Sequence, residues 1–129
     1  MRAILYDKTC HCASSELARR ALTQAHVEYD SRPLDTHPID RDGALRLARG
    51  ARRFLVKTDT GFLERDAAQE PVSEAQALGW LLHEDGLLRV PVLVWGDLLV
   101  RGFTDELYER ALAAPPAPSP ASPESRRAS

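Results

Sequence analysis

Cys10 and Cys12 flank His11, and they are the only cysteines in the chain. A cysteine attacks as its thiolate, and a free thiol titrates near ~8.5, so a reactive one needs help. Lys8 and His11 put positive charge within two residues of the sulfurs. From Ala13 the chain takes on helical spacing, so the thiols sit where unpaired helix N–H groups and the positive dipole end favour the thiolate. A second thiol one residue away can resolve a mixed disulfide. Its ring is smaller than that of a C-x-x-C pair, and disulfide geometry is demanding. The expected disulfide is strained and oxidising, suited to thiol–disulfide exchange or isomerase chemistry. The bland alternative is one buried core cysteine and one idle one. A metal site is the third reading. Consecutive side chains do not converge easily on one tetrahedral ion, so it would need His26, His37 or His83 as well. No metal site is expected, and these three histidines read as surface residues near element ends.

The elements that must hold this turn follow from patterning. Ala3–Tyr6 reads as a short buried strand. Leu17, Ala21, Leu22 and Ala25 then mark an amphipathic helix, with Ser14 and Ser15 near its start. Val27–Asp30 alternates as a second strand until Arg32-Pro33 breaks it. Asp42–Gly50 reads as a short helix ended by Gly50, and the arginines from Arg46 to Arg53 read as a solvated face. Arg53–Lys57 fits helix or strand, Asp59–Gly61 a turn, and 62–70 shows only weak periodicity. Ser73 and Gln76 form a capping box for a helix carrying Ala77, Leu78, Leu81 and Leu82, with Gly86 as its expected C-terminal stop. Val90–Trp95 and Leu98–Arg101, around Gly96-Asp97, give the strongest hairpin signal. Thr104 caps a last helix with Leu107, Ala111 and Leu112 inward.

At 129 residues the chain suits one domain, expected over 1–113. Residues 114–129 are nearly all Ala, Pro and Ser and are expected to be a disordered tail. A net charge of −2 gives no bulk attraction to nucleic acid, and direct nucleic-acid binding is not expected. No apolar run approaches the roughly 18–20 residues of a membrane span, and the N-terminus lacks a secretory apolar region. A cytoplasmic location without membrane contact is expected. There a close cysteine pair is seldom structural. The order β-α-β, helical insertion, β-β-α predicts an α/β thioredoxin-like fold with a four-stranded mixed sheet.

With that order, the residues resemble the arsenate reductase/Spx branch of glutaredoxin-like proteins. The segment Gly86-Leu-Leu-Arg-Val-Pro-Val-Leu-Val-Trp-Gly-Asp-Leu-Leu-Val-Arg-Gly-Phe103 carries most of it. Leu5-Tyr6 before a Cys turn, Val27-Glu-Tyr29, and Arg53-Phe-Leu-Val-Lys57 with Phe62 downstream are similar too. The resemblance spans about residues 2 to 112. It implies that Pro91 is cis and faces the active-site cysteine. It also implies Cys10 and Cys12 as the catalytic pair, with Lys8, His11, Lys57, Val90, Pro91 and Arg101 lining the substrate site.

The chain departs from the family in two places. The family spaces its pair as C-x-x-C or C-x-x-S. Matching the strand end aligns Cys10 with the first cysteine; matching back from the helix aligns Cys12, followed by Ala13-Ser14-Ser15. Arsenate reductases place an arginine directly before the cis-proline, where this chain has Val90. Arg89 comes one residue earlier, and strand alternation would turn it to the other face. Lys57 stands where the family has a second arginine, and Arg101 matches the third. Val90-Pro91 is closer to the glutaredoxin dipeptide whose valine backbone holds a bound glutathione. The resemblance therefore implies a thiol–disulfide oxidoreductase acting on glutathione or a protein disulfide. Glutathione is its co-substrate and no cofactor is bound. The alternative is an Spx-like redox-sensing regulator that binds the RNA polymerase α subunit without turnover.

Overall fold

The computed structural model describes residues 2–8 and 13–113, so the expected tail, 114–129, lies outside the described residues. The order is β1 (Ala3–Asp7), α1 (Ala13–Gln24), β2 (Tyr29–Pro33), α2 (Arg41–Arg49), β3 (Arg53–Thr58), β4 (Gly61–Asp66), α3 (Glu74–Leu81), β5 (Val92–Trp95), β6 (Leu98–Arg101) and α4 (Asp105–Ala113). The strands form one mixed sheet in the order β2-β1-β5-β6-β3-β4. β1 runs parallel to β2 and antiparallel to β5, which turns back into β6. This is the thioredoxin-like arrangement the element order predicts.

The sheet has six strands, not four. Residues 53–66, read above as part of a helical insertion, form a hairpin whose first strand pairs parallel with β6. The hairpin covers an edge of the sheet that a four-stranded version would leave open.

Alternation sorts each strand between two cores. Ala3, Leu5, Leu55, Leu93, Leu98 and Val100 face α1 and α4, meeting Ala18, Leu22, Leu107 and Ala111. Tyr6, Phe54, Val56, Val92 and Leu99 face the opposite way, against Ala44 and Leu81 of α2 and α3. The helix caps are as read from sequence. Ser73 and Gln76 complete the capping box, and the Leu107 N–H donates to Thr104 Oγ1 at 3.1 Å. α3, however, stops at Leu81, five residues before the glycine expected to end it. Gly86 instead sits at the tip of a tight loop with φ +86°, where a side chain would be strained.

Candidate functional site

Cys10, His11 and Cys12 lie outside the described residues. The residues at both ends of that segment are fixed by hydrogen bonds. Asp7, the last residue of β1, is fully buried. Its Oδ2 accepts from Arg19 Nη1 of α1 at 2.6 Å and from Ser31 Oγ of β2 at 2.7 Å. Its Oδ1 has no hydrogen-bond partner among the described residues. The next N–H, that of Lys8, donates to the buried Ser15 Oγ at 3.3 Å. Ser15 thus ties the exit of β1 to the first turn of α1.

Opposite this lies the peptide Val90–Pro91, which is cis. The β1–β5 register pairs Leu5 with Leu93 and Tyr6 with Val92, so Val90 and Pro91 leave the ladder beside the exit of β1. Among the described residues no backbone hydrogen bond engages Val90. The buried Pro91 is held from behind, its carbonyl accepting from Gly102 N–H at 2.8 Å. Gly102 has φ +92°, and a Cβ there would come within 2.7 Å of Lys57 Cβ. Only glycine lets the end of β6, the proline and Lys57 approach so closely.

Arg89 lies outside any strand, because β5 begins only at Val92. Alternation therefore does not turn it away from the site, contrary to the sequence-based expectation. Its N–H donates to the Leu81 carbonyl at 2.7 Å and its Nε to the Leu82 carbonyl at 3.2 Å. Arg89 lines an open cleft of about 600 Å³ together with Arg101, Lys57, Thr58, Asp59 and Gly79. Arg101 Nη2 donates to the Lys57 carbonyl at 2.9 Å, while its buried Nε has no hydrogen-bond partner among the described residues. Burial, and then the like charge of Arg89, push the Arg101 pKa down. Among the described residues no ion pair engages Lys8, Lys57, Arg89 or Arg101. Lys57 shares the sheet face of Leu55 by alternation, so what the structure fixes in the cleft is its carbonyl.

The structure thus brings Lys8, Val90, Pro91, Arg101 and the backbone of Lys57 to one end of the sheet. It adds Arg89, which sequence reasoning set aside. The signal that could have found Arg89 was its distance from the hairpin: two residues before a cis-proline, the strand has not yet begun. His26 lies just past α1 with φ 59°, and His37 Nδ1 is 3.0 Å from Thr36 Oγ1 at the surface. No three His, Cys, Asp or Glu side chains among the described residues group as metal ligands. No helix among them is long and apolar enough to cross a membrane.

The fold and this end of the sheet define a thioredoxin-like protein with a cis-proline beside a cationic cleft. Solved structures give the class more closely. The chain is similar to the YffB (PA3664) protein, with 27% identity, a TM-score of 0.52, and 85% of this chain and 98% of that one covered. An ArsC family related protein from Bacteroides fragilis shares the fold at 16% identity and a TM-score of 0.50, over the same 85% and 98%. These neighbours support the resemblance to the arsenate reductase-like branch of thioredoxin-fold proteins. No protein-family model matches the chain, and no curated protein matches it.

Proposed function

We propose that this chain is a cytoplasmic thiol–disulfide oxidoreductase whose Cys10 and Cys12 work as a pair on a glutathione mixed disulfide or a protein disulfide. The observation that carries this reading is the cis Val90–Pro91 peptide. Among the described residues no backbone hydrogen bond engages Val90, and the peptide immediately precedes β5, whose first residue pairs with Tyr6 beside the exit of β1 into the thiol segment. An extended substrate strand can pair with Val90 while its disulfide meets the thiols.

In the proposed cycle one cysteine thiolate attacks a substrate sulfur, forming a mixed disulfide and expelling the other substrate sulfur as a thiolate that takes a proton. The second cysteine then loses its proton and attacks the mixed disulfide. A Cys10–Cys12 disulfide forms and the remaining substrate thiol leaves. The substrate has gained two electrons, and two molecules of a thiol such as glutathione restore the pair. Arg89 and Arg101 hold the anionic part of the substrate, since neither cation forms an ion pair among the described residues. An arsenate reaction is less well supported: Val90 replaces the arginine before the proline, and Lys57 offers the cleft its carbonyl.

The test is turnover of a glutathione mixed disulfide by the full chain and by Cys10→Ser and Cys12→Ser variants. Loss of the attacking cysteine is expected to abolish turnover, and loss of the other to slow the second step. No turnover together with thiol pKa values above 8 for both cysteines sinks the reading. Capture of the RNA polymerase α subunit in one redox state, without turnover, replaces it with the regulator.

A further inference from the structure

Arg89 is the shared wall of two clefts. On its other side a second open space of about 610 Å³ is lined by Lys8, His83, Glu84, Asp85, Leu87 and Arg89. That volume falls in the roughly 300–1,000 Å³ range of small-molecule sites. Residues 82–89 build it as a miniature hairpin. Leu82 and Leu88 bridge, His83 N–H donates to the Leu87 carbonyl at 2.7 Å, and Gly86 N–H to the His83 carbonyl at 2.9 Å. The basic groups come from the end of β1 and the returning limb of this hairpin, the acidic ones from its tip. Asp85 Oδ1 accepts from Leu87 N–H at 3.0 Å, and no hydrogen bond among the described residues engages its Oδ2. No ion pair among the described residues joins Glu84 or Asp85 to Lys8 or Arg89. The cleft therefore keeps separate positive and negative poles on a braced backbone. Leu87, 58% exposed, adds an apolar surface to the same cleft.

We propose that this second cleft is a binding site for an α-amino-acid head group, ammonium and carboxylate together, carried by a small thiol or its disulfide. The carboxylate meets Arg89 and Lys8, the ammonium meets Glu84 and Asp85, and the methylenes beyond the α-carbon lie on Leu87. A residue inside a polypeptide has neither charge, so the cleft favours a small amino-acid thiol over an internal protein disulfide. The thiol identity of the ligand rests on the function proposed above; the head-group site does not.

Binding to the full chain is measured by calorimetry with two thioethers that cannot exchange, S-methylglutathione and S-methylcysteine, each beside its N-acetyl form. N-acetylation removes the ammonium and is expected to weaken binding of at least one probe about tenfold, the worth of one charge-assisted hydrogen bond. A double variant, Glu84→Gln with Asp85→Asn, is expected to bind both forms of that probe equally. Both side chains are exposed, so the variant keeps its fold, which circular dichroism checks. Equal binding of both forms by the wild-type chain, for both probes, overturns the proposal, as does discrimination that survives in the double variant. A wild-type chain that discriminates but turns over no mixed disulfide keeps this site and loses the proposed function.

Discussion

Two charge clusters lie near the same end of the sheet, and they are built in opposite ways. Around Asp7 a fully buried carboxylate is held by Arg19 and Ser31 at under 3 Å, joining β1 to α1 and β2. Around Arg89 and Arg101 two arginines line one cleft with no ion pair to a carboxylate among the described residues, their donors used in part on backbone carbonyls. The first cluster has its counter-charge inside the chain and acts on the fold. The second forms no ion pair among the described residues, although Asp59 lines the same cleft, and a partly desolvated cation kept beside another cation is costly unless an anion arrives. Pairing within the chain separates architecture from recognition here better than charge or position does.

The largest effect should come from breaking the closed cluster. Asp7→Ala strands Arg19 and Ser31 and is expected to cost about 2–3 kcal/mol, read from the urea midpoint. A variant as stable as wild type would end the distinction. Next comes the joint between Pro91 and the cationic cleft. Gly102→Ala forces a positive φ on alanine and a clash with Lys57, so about 1–2 kcal/mol should be lost. Sulfate, used as a probe anion, should also bind that variant more weakly.

Arg101→Leu tests the open cluster. Unfolding free energy should change by less than about 1 kcal/mol, because the lost hydrogen bond is offset by relief of a desolvated charge. Thermal stabilisation by sulfate should shrink as its affinity drops about tenfold. Unchanged sulfate binding would mean that Arg101 does not face the anion.

The smallest effect belongs to a surface pair far from the site. Arg110 bonds Glu64 through both oxygens, at 2.9 and 3.0 Å, and holds that carboxyl below its usual range. A carboxyl whose pKa is lowered on folding stabilises above its unfolded pKa, and that help fades as pH falls through the folded value. Arg110→Ala should therefore lower the melting temperature slightly at pH 7 and leave it unchanged well below the usual carboxylate range. An equal loss at both pH values would show that Arg110 acts by packing instead.

Sequence patterning revealed β1 and the β5–β6 hairpin, whose apolar residues are buried on schedule, and the cap of α3. It placed α1 but not its inner face, since of Leu17, Ala21, Leu22 and Ala25 only Leu22 is buried, while Ser15 and Ala18 face the core and Leu17 is exposed. It missed β4 because Phe62–Asp66 is a half-exposed edge strand whose Glu64 and Arg65 dilute the period-2 signal. It ended β2 too early because Pro33 lies on an edge strand, where proline is tolerated. Gly86 was read as a helix stop, although a glycine with positive φ serves equally at a loop tip. The cis-proline was legible only through the resemblance. The partner cation was not, because face assignment by alternation holds only within a strand, and Arg89 precedes β5.

β1 pairs with β5, so Ile4 lies beside Val94, ninety positions along the chain, and β3 pairs with β6. During synthesis β1 can find β2 early, but its other edge stays bare until residues 92–94 emerge. The β3–β4 hairpin likewise waits for 98–101 before it gains its sheet neighbour. Such separated pairings make folding slow and leave strand edges exposed meanwhile. The edge of β1 that meets β5 is therefore made well before it is covered. A nascent chain stopped before β5 would be the most aggregation-prone form of this molecule.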